Sequence, residues 1–221
     1  MCWNAEVSLN TFLVSIFTLA FVYYNNEYTQ YKLEEFKNKW LYIFFILVFS
    51  IQLFEFFIWK NLKNNYNNVF TKIIFIFAFL QPLASLMLLS NLKLRDSLIL
   101  AYLVLSVPYF LFIMYRNTFH SSVSKNGHLI WNNFDLIDDK KSNFILINKI
   151  RYVLFVFFLL FSFFYERKPF YLFFGFITFM LFFYKEYISS GSTWCWIANL
   201  ISLVMLFRIL FYKPFLEKGI C

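Results

Sequence analysis

Apolar runs of membrane-crossing length, broken by short polar stretches, set the rhythm of this chain. A bilayer core is crossed by a helix of roughly 20 mostly apolar residues. Seven stretches meet or approach that length: Val7–Tyr24, Trp40–Trp59, Phe70–Ser90, Ser97–Tyr115, Leu146–Tyr165, Pro169–Tyr184 and Trp194–Tyr212. The fifth carries Lys149 and Arg151 near its start, and the sixth is short. Between those two, Glu166-Arg167-Lys168-Pro169 makes a charged break, and proline suits the first turn of a new helix. The pattern predicts an all-α, polytopic membrane protein: one domain over residues 1–221, built as a bundle of seven transmembrane helices. The first span lacks the basic start and small-residue cleavage site of a signal peptide, so it reads as a helix of the bundle.

Two connections are long. Residues 25–39 are polar and suit a short surface helix. Residues 116–145 form the longest loop and hold both histidines, a tryptophan and a glycine. A loop of that length in a compact bundle is commonly functional, and an ordered, functional loop is the expectation here.

Composition agrees with the pattern. Hydrophobic residues make up 61% of the chain and charged residues 14%, and mean hydropathy is +0.63. Soluble domains are nearer 45–50% apolar and about 25% charged. The 35 phenylalanines read first as a coding bias. The net charge of +8 would suggest nucleic acid in a soluble protein. Here the basic residues sit mainly in loops and at span ends, as they do beside membrane segments, so no nucleic-acid partner is expected. They divide evenly between the two sides, which leaves orientation undetermined by the positive-inside rule.

Seven crossings put the chain ends on opposite sides. The side of residues 1–6, here the N-terminal face, then also holds the loops 60–69, 116–145 and 185–193. The unusual residues gather there. Cys2, Trp3 and Glu6 start the first span. Gln52, Glu55 and Trp59 share one stripe of the second span. His128 and Trp131 lie in the long loop. Trp194, Cys195 and Trp196 open the seventh span, and Asn199 continues the stripe of Cys195. Gln81 lies within the third span beside Pro82, which frees a backbone carbonyl. The opposite face shows no comparable set. Arg208, one turn from that face, reads as a structural, snorkelling residue.

Glu55 is the strongest single signal, an acid inside the apolar run Phe49–Trp59. A charge at mid-bilayer costs about 2.5–3.5 kcal/mol on insertion scales, so intramembrane carboxylates face the bundle interior or a water-filled cavity. The expected site is a polar, Trp-lined cavity on the N-terminal face that binds or moves a small molecule or ion. Glu55 is its protonatable group; Gln52, Glu6, His128, Trp59, Trp131, Trp194, Gln81 and Asn199 are its other binding residues. Cys2, His128 and Cys195 offer zinc ligands, though at no compact motif spacing. Cys2 and Cys195 could instead form a disulfide, or Cys2 could be lipidated or act as an N-terminal nucleophile. Serine hydrolysis has possible parts in Ser8, Ser121, Ser122 and His128 but no nucleophile elbow. Retinal is excluded, because the seventh span contains no lysine for a Schiff base. Two alternatives stand beside binding or transport: a membrane-embedded, metal-dependent hydrolase acting on lipid, and a structural membrane protein whose polar cluster locks helices together.

Four motifs resemble a little-characterised family of seven-helix membrane proteins of bacteria and of large DNA viruses of unicellular eukaryotes. They are Met1-Cys2-Trp3-Asn4-Ala5 with Ser8; Gln52, Glu55 and Trp59 in a Gln-x-x-Glu-x-x-x-Trp pattern; Gly127-His128-Leu129-Ile130-Trp131; and Ser192-Thr193-Trp194-Cys195-Trp196. Asn4 departs from the serine usual in that family. The resemblance implies a viral or microbial source and a host or virion membrane, and brings no established reaction with it.

Overall fold

A computed structural model describes residues 4–116, 119–125, 127–131, 142–173, 175–176, 180 and 195–217; of residues 116, 142–149, 195–197 and 217 it describes the backbone alone. The described chain is overwhelmingly helical. Its elements are α1 (Ala5–Tyr28), a 3-10 turn (Glu34–Lys37), α2 (Lys39–Lys60), α3 (Tyr66–Leu86), α4 (Leu92–Arg116), β1 (Ser121–Val123), β2 (Leu129–Trp131), α5 (Ser142–Tyr165) and α6 (Cys195–Phe207). A π-helical turn (Arg208–Tyr212) and a last helix, α7 (Lys213–Glu217), continue from α6. Among the described residues, five helical stretches are long and apolar enough to cross a membrane: α1, α2, α3, α4 and the continuous run Ala198–Leu216. A sixth, Ile150–Tyr165 within α5, is apolar but shorter. That is the make-up of a multi-pass membrane protein. Half of the sixth expected span, Pro169–Tyr184, lies outside the described residues; the described half (169–173, 175–176 and 180) is helical.

Helix starts follow local chemistry. The first N–H groups of a helix lack intrahelical partners and take them from side-chain caps. Asn4 Oδ1 accepts from Val7 N–H at 2.8 Å, and Asn38 Oδ1 accepts from Trp40 N–H at 3.0 Å. Asn4 thus supplies the same cap that a serine would. The third helix runs one turn earlier than its hydropathy suggests, Tyr66–Leu86 against the expected Phe70–Ser90. Its first turn is polar in composition but includes Asn67, which is fully buried.

The connection 25–39 is not a surface helix. The Asn25 amide donates to Tyr31 O, and the Asn26 side chain exchanges two hydrogen bonds with the backbone of Leu33. These bonds fold the chain back under α1, and Leu33 and Phe36 become core residues.

Packing runs α6–α1–α2–α3–α5, with α4 on the outer side of α3. The main core joins Phe36, Phe44, Phe45, Phe49, Phe163 and Tyr171. Phe44 meets Phe163 edge-to-face with ring centres 5.3 Å apart, a favoured aromatic geometry. Phenylalanine also faces outward, at Phe17 and Phe164 for example, so its abundance serves both core and lipid surface. The described helices are further tied by hydroxyls. Ser202 donates to Ser15 Oγ at 3.1 Å between α6 and α1. Ser85 Oγ donates to Leu159 O at 2.6 Å, and its hydroxyl lies 2.5 Å from that of Ser162, between α3 and α5. Tyr102 of α4 donates to the Phe79 carbonyl at 2.8 Å.

The face opposite the N-terminal one holds a cluster that the sequence did not announce. The Arg208 guanidinium, at the start of the π-helical turn, donates to Glu35 of the 3-10 turn, and Tyr171 OH donates to the same carboxyl at 3.2 Å. Arg208 is therefore a paired residue, not simply a snorkelling one. Burial works against the Glu35 carboxylate, but its bonds from Arg208, the backbone and Tyr171, together with the Arg208 charge, outweigh that and hold Glu35 below its ordinary value of 4.5. Burial pushes the neighbouring Lys168 ammonium down, against the attraction of Glu35 and Glu166.

A carboxyl whose value is depressed on folding contributes stability above its unfolded value, and that contribution disappears as pH falls through the folded one. The detergent-solubilised protein should therefore lose thermal stability as pH drops below about 4.5, the ordinary value for Glu35. Arg208→Leu should cost about 1–3 kcal/mol at neutral pH, less than a fully buried pair because both side chains keep some solvent contact. It should also flatten that acid limb; an unchanged limb in unfolding scans from neutral pH down to about pH 3 would remove this role for the pair.

Candidate functional site

Glu55 lies on the buried stripe of α2 together with Ile51, Gln52 and Ile58. It is completely inaccessible to solvent. It sits five residues from the helix end, about 7.5 Å at 1.5 Å per residue, on the side where α2 ends and α3 begins. What covers it is the long loop. Residues 121–123 and 129–131 form a two-stranded antiparallel hairpin, with Ser121 opposite Trp131 and Val123 opposite Leu129.

Strand alternation puts Leu129 and Trp131 on one side of β2. Both enter the apolar cluster made by Ile51 and Ile58 of α2 and Ile74 of α3. Phe54, Trp59, Phe70 and Phe77 pack around it. Glu55 thus stands between two of the residues that receive the hairpin, and its carboxyl interacts with the Trp131 side chain. His128, the residue before β2, is buried at 5% exposure. Trp59 is one turn beyond Glu55, and its buried indole Nε1 has no hydrogen-bond acceptor among the described residues.

The other strand is fastened by polar groups. The Asn67 side chain acts as a strand edge toward Ser121: its amide donates to Ser121 O at 2.9 Å, and its carbonyl accepts from Ser121 N–H at 2.8 Å. A second bond from the same amide reaches Leu62 O at 3.2 Å. One turn on, Thr71 Oγ1 donates to Asn67 Oδ1 at 3.1 Å, so the Ser121 hydroxyl, 2.8 Å away, donates to Thr71. Asn67, Thr71 and Ser121 are all buried, and buried polar atoms require such partners.

The hairpin turn is closed by Ser124, whose N–H donates to His128 O at 2.7 Å and whose hydroxyl accepts from His128 N–H at 3.1 Å. Gly127 has φ +78, a conformation that glycine adopts without the steric cost a side chain brings.

From two of the four sequence motifs, the structure packs Trp59 and Trp131 against one cluster beside Glu55, sets Gln52 one turn before Glu55 on the same buried stripe, and buries His128 just before β2. Other expected members lie elsewhere. Glu6 is exposed in the first turn of α1, where an acid complements the positive end of the helix dipole, and it forms no part of the buried cluster. Gln81 is buried in α3, ten residues beyond Thr71 and about 15 Å further toward the opposite face. Asn199 donates to Thr11 at 2.9 Å in the α1–α6 interface, so it ties two helices at a separate place. Cys2, Trp194 and the side chain of Cys195 lie outside the described residues, which leaves His128 as the described member of the suggested zinc set. Among the described residues no three His, Cys, Asp or Glu side chains converge to hold a metal.

Asn67 and Thr71 were not anticipated as site residues, and Ser121 was anticipated only as a possible part of a serine hydrolase. The usable signal was faint: an i, i+4 pair of polar residues on one face of α3, the first of them inside the asparagine-rich run 64–68. Compared with family models, characterised proteins and solved structures, the chain has no match.

Asn67→Ala removes both backbone bonds to Ser121. At about 1 kcal/mol for each net hydrogen bond, and more for groups left buried without partners, the hairpin should loosen by ~2–3 kcal/mol. Amide hydrogen exchange of β1 and β2 should rise while that of α1 and α6 stays put; unchanged hairpin protection would rule out the clip.

Proposed function

We propose that this protein is a seven-span membrane protein in which Glu55 takes up and releases a proton, or holds a small cation, in an occluded site near the N-terminal face. The observation that carries the reading is the placement of a carboxyl group, fully enclosed, on the stripe of α2 that receives Leu129 and Trp131. A charged group deep in a membrane protein is costly and is commonly part of an ion or proton path. Gln52 on the same stripe, and His128 and Trp131 from the hairpin, supply the polar and aromatic wall. The motif resemblance fits this placement, since the Gln-x-x-Glu-x-x-x-Trp and Gly-His-x-x-Trp stretches build one locus.

A helix-locking role is a second reading with support of its own. Asn199 to Thr11, Ser202 to Ser15 and Ser85 to Ser162 join helices through paired polar side chains. Interhelical bonds of this kind contribute about 0.6 kcal/mol each on average in a membrane. The two readings differ in what Glu55 does.

Two measurements separate them. In vesicles under an imposed potassium diffusion potential, wild-type protein should carry protons, and Glu55→Gln should fall to the rate of protein-free vesicles. The same variant should lose a carboxylic C=O infrared band that the wild type shows. Wild-type proton uptake by Glu55→Gln would exclude the proton-site reading. For the span count, tags placed before Ala5 and after Glu217 should be accessible from opposite sides of the membrane; access from one side refutes seven crossings.

A further inference from the structure

The hairpin over Glu55 is fixed at its two strands by different means. β2 is held by apolar contact, through Leu129 and Trp131. β1 is held by the Asn67 amide and the Thr71 hydroxyl, both from one turn of α3. Among the described residues the sheet has these two strands alone, each of three residues. An isolated two-stranded hairpin is marginal in water, so the order of this one depends on its docking. In the turn, a Cβ built on Gly127 would meet nothing within 4 Å. Leu129 and Trp131 of β2 join the same cluster that flanks Glu55, and the Trp131 side chain interacts with its carboxyl.

We propose that the β1–β2 hairpin is a lid on the Glu55 site. Docked on Asn67 and Thr71 it seals the carboxyl from water; released from them it opens a path from the N-terminal face for a proton or a small cation. The lid rests on the reading of Glu55 as the proton site and adds to it the element that controls access. Opening exchanges the Asn67 and Thr71 bonds for bonds to water and exposes Leu129 and Trp131, so the closed form is the resting one.

The test locks the lid covalently. The hydroxyl oxygens of Thr71 and Ser121 are 2.8 Å apart, so cysteines in their places put two sulfurs within bonding reach, an S–S bond being about 2.05 Å. Full-length T71C/S121C in vesicles is transferred to D2O, and exchange of the carboxyl band is timed with the pair reduced and oxidised, beside oxidised wild type as control. Oxidation should slow exchange at least about tenfold, as a ~1.4 kcal/mol shift in the opening equilibrium would. Asn67→Ala should speed it by about 30–150-fold, the factor that corresponds to a ~2–3 kcal/mol loosening. Equal rates in locked and reduced forms, with the bond confirmed by peptide mapping, overturn the lid. Should the pair fail to oxidise, Asn67→Ala decides: faster hairpin amides with unchanged carboxyl exchange also overturn it. A band that survives in Glu55→Gln removes the proton site and the lid together. A band lost in Glu55→Gln but indifferent to the lock removes the lid alone.

Discussion

In a membrane interior every polar group has to find its partner within the protein, because no water is there to supply one. That constraint organises this chain from the helix caps inward. The backbone meets it by forming helices. The side chains meet it in pairs: Asn199 with Thr11, Ser202 with Ser15, Ser85 with Ser162, Arg208 with Glu35. Each pair joins elements far apart in sequence, so the need for partners also sets which helices are neighbours. Glu55 feels the same constraint most sharply, and the protein answers it with a segment that is not a helix.

The two ends of the bundle answer differently. At the N-terminal face, a hairpin seats apolar side chains beside Glu55 and clips its outer strand to α3. At the other face, Glu35 is enclosed by the Arg208 guanidinium and the Tyr171 hydroxyl, and a surface turn is tied to the last long helix. Glu35, outside the long apolar runs, ties a surface turn to the π-helical turn through Arg208, whereas Glu55 is fully enclosed inside one of those runs, on the stripe of α2 that receives Leu129 and Trp131. That difference in placement is why Glu55, and not Glu35, is proposed as the site.

Much of the helical framework was legible because crossing a bilayer demands long apolar runs, and such runs survive any tertiary detail. The ends of α1, α2 and α4 fall within a few residues of the runs that announced them. Where legibility failed, a buried polar residue was responsible. Asn67 looks like loop because its amide is polar, yet its bonds to Ser121 make it core. Asn25 and Asn26 look like the start of a polar connection suited to a surface helix, yet they fold residues 29–33 back beneath α1 and leave room for only a 3-10 turn. Arg208 looked solitary because its partner Glu35 lies 173 residues away. The hairpin was beyond sequence reading altogether: strands of three residues carry almost no periodicity, and their pairing is stable only against α2 and α3.

The amino-acid sequence by itself determined that this is a helical chain for a bilayer, and it marked Glu55 as the acid that an apolar span has to accommodate. Both follow from composition along a single helix, where hydropathy and the 3.6-residue repeat suffice. Only the tertiary structure decided what stands over that acid, which of the polar residues share its site, and which are spent joining helices. Those outcomes depend on hydrogen bonds and close packing between segments 50 to 190 residues apart, and no local pattern encodes such a partner.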